Sequence, residues 1–91
     1  MRIDNNIEDL IVWLKKLDAI EVIEFYINDA YVRSVYSIDE FAEVIKQYEP
    51  FNRFKYQILF DGLDEENPKR RLYWFYPIQS SSHDIKIVES L

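Results

Sequence analysis

Apolar residues recur with a helical period in two stretches of this chain and with a strand period in the rest. That order limits the fold more than any other feature of the sequence. Ile7, Leu10, Ile11, Leu14 and Leu17 follow the i, i+3, i+4, i+7 spacing and share one helix face, with Trp13 at its border and Val12 pointing away. Asp4, Asn5 or Asn6 can cap this helix, and Glu8 and Asp9 fall in the first turn, where the helix dipole favours acids. The second helical stretch has the clearest local signal. Ser37-Ile38-Asp39-Glu40 matches a capping box, and Tyr36 and Phe41 occupy the two hydrophobic staple positions. The spacing predicts a helix over residues 38–48, with Ile38, Phe41, Ala42, Ile45 and Tyr48 inward and Asp39, Glu40, Glu43, Lys46 and Gln47 outward. Pro50 ends it, because the residue before proline disfavours the helical region.

The strand-like stretches lie between and after these helices. Residues 19–27 are rich in β-branched and aromatic side chains, with Ile23, Phe25 and Ile27 on one face and Ile20, Val22, Glu24 and Tyr26 on the other. The alternation is imperfect, so either both faces are partly covered or a bulge shifts the phase. Asn28-Asp29 suits a two-residue hairpin turn into a return strand over residues 30–36. Residues 54–60 alternate with Phe54, Tyr56, Ile58 and Phe60 inward and Lys55 and Gln57 outward. Residues 61–69 read as a polar loop holding the only glycine, Gly62. In residues 70–78, Leu72, Trp74, Tyr76 and Ile78 share one face and Arg71, Tyr73 and Phe75 the other. Residues 79–84 read as a serine-rich loop, and whether residues 85–88 add a short last strand is left open.

The fold expected is α+β: an antiparallel sheet of four to five strands with two helices packed on one face, in the order α-β-β-α-β-β with or without a final β. Ninety-one residues suit one domain over 1–91, and 48% hydrophobic residues are ample for its core. The uncovered sheet face is expected to show Tyr73 and Phe75, with Tyr26 or Phe25 near them. An apolar patch of that kind marks a protein contact.

Composition removes several function classes. With no cysteine there is no disulfide, no cysteine-ligated zinc and no thiol nucleophile. One glycine leaves no Gly-rich phosphate loop. The start of the chain lacks a basic region followed by an apolar stretch, and no run of about 18 apolar residues exists, so a soluble cytoplasmic protein is expected. Residues 61–67 carry acids and amides without the EF-hand spacing, and read as a solvated hairpin loop. Ser80-Ser81-Ser82-His83-Asp84 holds the residue types of a hydrolase triad, but neighbours in a loop do not have triad geometry. Paired carboxylates for acid–base work lack a pocket-forming architecture. The chain is therefore expected to be no enzyme and to need no cofactor or metal.

Charge is the remaining functional signal. The first 50 residues hold 11 acids and five bases and so carry the whole net charge of −6, while the remainder holds six of each. An acidic protein is repelled by nucleic acid and by anionic membranes. The expected partner is a basic protein, itself a nucleic-acid binder, met by Glu21, Glu24, Asp29, Asp39, Glu40 and Glu43 in place of phosphates. Caps and solvated helix faces account for some of these acids without any partner. In size, acidity and lack of catalytic residues the chain resembles the small acidic phage and viral inhibitors of host defence, such as anti-CRISPR proteins. Those proteins share no motif, so no residue carries over. Two other readings stand beside this one. A structural or regulatory homodimer would bury the second sheet face, with Arg70, Arg71, Tyr73 and Phe75 as an alternative interface. A single-stranded nucleic-acid binder would use Lys69, Arg70 and Arg71 beside Tyr73 and Trp74, against the acidic total.

Overall fold

A computed structural model describes residues 4–79 and 82–91. Its elements are α1 (Ile7–Leu14), β1 (Ile20–Ile27), β2 (Ala30–Val35), α2 (Ile38–Gln47), a 3-10 turn (Phe51–Arg53), β3 (Tyr56–Leu63), β4 (Arg70–Pro77) and β5 (His83–Ser90). The five strands form one sheet in the order β2-β1-β5-β4-β3, every neighbouring pair antiparallel. The α+β architecture with two helices is as expected, and the fifth strand is present.

Local chemistry explains most of the boundaries. Asn6 caps α1 by accepting from the Asp9 N–H at 2.9 Å, while the Asp9 carboxylate accepts from the Asn6 N–H at 3.0 Å. Ser37 caps α2 by accepting from the Glu40 N–H at 3.1 Å. Glu40 reaches one residue further back than a capping box requires and accepts from the Tyr36 N–H at 2.9 Å. The expected staple is not made in that form: Tyr36 is 66% exposed, and Phe41 is fully buried against Phe25 and Phe75. Asn28 and Asp29 both have positive φ, 51° and 65°, as a tight turn matching strand twist demands.

Both helices lie on the face that carries Ile23, Phe25, Val35, Phe75, Ile85 and Ile87, all fully buried together with Leu10, Leu14, Phe41 and Ile45. Trp13 packs edge-on against Tyr73 and Phe75, with ring centroids 4.9 and 5.5 Å apart. Phe25 stacks on Phe41 and meets Phe51 edge-on. The Tyr56 hydroxyl, buried at the sheet's end, donates to the Phe51 carbonyl at 2.9 Å.

Further expectations are corrected, among them Phe60, expected inward and found 62% exposed. Tyr73 and Phe75 lie under the helices and not on the uncovered face, where Leu72, Trp74 and Tyr76 stand instead. The phase of β4 is locally undetermined because both of its faces are aromatic, and Trp13 decides it. Phe25 likewise faces α2, leaving Tyr26 for the open side. Asp61, Gly62 and Leu63 belong to β3 and not to the loop; Gly62 takes φ 103° where the β3–β4 register shifts, a bulge that a glycine accommodates. His83 and Asp84 open β5 rather than close a loop, while Ser80 and Ser81 lie outside the described residues. The imperfect alternation of β1 reflects two register shifts, one against β5 after Ile20 and one against β2 after Phe25.

Candidate functional site

Because Ile23 and Phe25 point to the helices, Val22, Glu24 and Tyr26 of β1 point the other way. Cross-strand register then assembles the open face. Glu24 sits opposite Ser34 on β2 and Lys86 on β5, Lys86 opposite Trp74 on β4, and Trp74 opposite Leu59 on β3. One step along, Tyr26 sits opposite Tyr31 and Asp84. The result is an aromatic band across the sheet. Tyr31 meets Tyr26 at 6.0 Å, Tyr26 meets Trp74 at 5.5 Å, and Trp74 stacks on Tyr76 at 5.7 Å with only 11° between the ring planes.

Charged groups lie within and beside this band. The Tyr26 hydroxyl donates to Glu24 at 3.1 Å, and the Trp74 indole N–H donates to Asp61 at 3.1 Å. The Lys86 ammonium sits 5.9 Å from the centre of the Trp74 ring, a cation–π contact. Asp84 is half-buried, and burial together with the charge of Asp29 raises its pKa above the ordinary 3.8, with His83 opposing. Burial also raises the Tyr76 hydroxyl, with further contributions from Asp84, Asp61 and Asp29, and the Tyr26 hydroxyl, with Glu24 as the next cause. Toward the β3–β4 end, Asp61, Asp64, Glu65, Glu66, Leu72 and Lys86 line an open hollow of about 450 Å³.

The acids singled out from the sequence do not form one surface. Glu24 stands on the open face and Asp29 in the β1–β2 turn at its margin. Asp39, Glu40 and Glu43 belong to α2, on the opposite side of the sheet. Glu40 is engaged in its own helix cap, and Glu40 and Glu43 line a groove of about 460 Å³ with Arg33 and Tyr48. Glu21 lies at the other end of β1 from Asp29, with its carboxylate 2.8 Å from Arg70 Nε, close enough for an ion pair but without hydrogen-bond alignment.

The basic cluster is divided as well. Arg70 pairs with Glu21 and stands 3.8 Å from Asp64. Arg71 lies 3.6 Å from Glu89 on the helix side, where the Tyr73 hydroxyl also donates to Glu89 at 3.0 Å. Glu89 was not foreseen. It is 2% exposed and accepts in addition from the Asp18 N–H at 2.9 Å, tying the α1–β1 connection to the sheet. Its signal in the sequence is its phase, two residues beyond Ile87 and four beyond Ile85, both buried.

Among the described residues no group of three or more His, Asp or Glu side chains is placed to hold a metal ion. In the 61–67 stretch, Asp64 accepts from the Glu66 N–H and Asn67 from the Lys69 N–H, both turn-forming roles. The His83 ring packs by Phe51 and Phe54, on the face of β5 opposite to Asp84. No described helix is long and apolar enough to cross a membrane. Compared with protein-family models, with curated proteins and with solved structures, the chain matches none.

Proposed function

We propose that this protein is a non-enzymatic interaction module that binds a basic partner protein through the open face of its sheet. Where that partner's basic groove serves nucleic acid, the bound module acts as an inhibitor. The observation that carries the reading is the band Tyr31–Tyr26–Trp74–Tyr76, with Glu24 and Asp61 beside it and Asp84 within it. Aromatic anchors inside a polar rim supply most of the energy in protein interfaces, and the sign of this rim selects bases. The acids of α2 contribute long-range attraction from the far side and no contact.

The homodimer reading is disfavoured by the same rim. A two-fold pairing of this face sets each carboxylate against a copy of the same acidic surface, where like charges repel. Nucleic acid meets that repulsion too, and Arg70 and Arg71 are already committed to Glu21, Asp64 and Glu89.

A deca-arginine peptide titrated into ¹⁵N-labelled protein at low ionic strength tests the proposal. Amide shifts are expected at Tyr26, Trp74, Tyr76, Asp84 and Lys86, fading as salt is added. Shifts confined to Asp39, Glu40 and Glu43, or no shifts at all, overturn it.

A further inference from the structure

We infer that Asp84, with Tyr26, Tyr76 and Trp74 around it, is the seat of a single arginine side chain of that basic partner. The inference rests on the open face being the binding surface and adds which point of it anchors the complex and with what chemistry.

Asp84 lies in the central strand, directly opposite Tyr26 on β1, and its charge is the strongest acting on the Tyr76 hydroxyl from β4. Aromatic side chains on both flanks withdraw water from this carboxylate. The charges that act on it are Asp29, which opposes its ionisation, and His83, which favours it from the other side of the strand. A carboxylate placed in this way gains more from an incoming cation than a fully solvated one.

The aromatic surroundings decide which cation fits. Trp74 and Tyr76 present nearly parallel rings, 11° apart, on the strand next to Asp84. A guanidinium can lay its flat face on such a ring and turn its fork of N–H donors to a carboxylate at the same time. An ammonium is a point charge that satisfies the carboxylate without stacking. The protein itself shows that this aromatic surface takes a cation, because the Lys86 ammonium already rests 5.9 Å from the Trp74 ring centre. Glu24 lies opposite Lys86 in register, on the same face, and offers that side chain a second position. Lys86 thus holds the ring until the partner's arginine takes it.

Calorimetric titration of the full chain with deca-arginine and with deca-lysine peptides tests this. Wild type is expected to bind the arginine peptide about tenfold more tightly than the lysine peptide, the step that one good charge-assisted contact makes. Asp84→Asn is expected to lose that preference, and Trp74→Leu to reduce it. Lys86→Ala is expected to tighten arginine-peptide binding more than Lys46→Ala, which removes the same charge from α2. Asp39→Asn serves as the acid control on α2, and far-UV circular dichroism confirms that each variant is folded. Equal affinity for the two peptides, or an Asp84→Asn effect no larger than that of Asp39→Asn, overturns the arginine seat. If the open-face amides still shift in those cases, the binding surface stands and only its anchor is refuted. If neither peptide moves the open-face amides, both readings fall.

Discussion

Two carboxylates on β5 show how one strand uses the same chemistry in opposite ways. Glu89 is buried and fully engaged, accepting from the Asp18 N–H and the Tyr73 hydroxyl beside Arg71. Removing it orphans two donors, so Glu89→Ala is expected to cost about 1–3 kcal/mol in urea unfolding. A change within a few tenths would mean that water replaces the carboxylate easily. Asp84 stands on the other face, and there ionisation works against the fold. Its folded pKa lies above the ordinary 3.8, so the native state holds this proton more tightly than the unfolded chain does. The penalty is absent below the unfolded value, grows as pH rises from there through the folded pKa, and is complete at neutral pH. Asp84→Asn is therefore expected to raise the melting temperature at about pH 7 and to leave it unchanged at about pH 3. A variant melting below wild type at neutral pH contradicts this.

At the level of elements, the helices were legible because their signals are local. A cap, a first-turn acid and a stripe of apolar residues lie within a dozen positions of one another. Ser37→Ala is expected to cost about 0.5–2 kcal/mol by thermal or urea unfolding, since the Ser37 hydroxyl accepts from the Glu40 N–H. No loss would mean that the Glu40 bond to the Tyr36 N–H carries the cap alone. The Asn28-Asp29 turn was legible for the same reason. The strands were harder. In β4, aromatic side chains occupy both faces, so alternation identifies a strand but leaves its phase open. In β5, Asp84, Lys86 and Glu89 dilute the apolar signal, and the segment looks weakest in sequence while it pairs with β1 and β4 on its two sides.

At the scale of the molecule, the net charge of −6 proves a poor guide to a site. The six acids that the sequence marks as a partner surface scatter over the helix layer, the open face and both ends of β1. Of these, Glu24 and Asp29 adjoin the aromatic band, where they join Asp61 and Asp84 from the half of the chain that is neutral overall. The candidate surface is thus assembled from both halves by the β1–β5 pairing, which sets Tyr26 beside Asp84 across a long sequence separation.

The sequence by itself determined both helices, the first four strands in their order, the Ser37 cap and the α+β class, because each rests on residues close together in the chain. Only the tertiary structure decided that the last strand is central, that Trp74 and Tyr76 rather than Tyr73 and Phe75 face outward, and that Glu89 is buried. Those outcomes depend on which residues α1 and the neighbouring strands bring into contact, and packing of that kind has no local trace. The candidate site belongs to the second group, for it exists only once β1, β4 and β5 lie side by side.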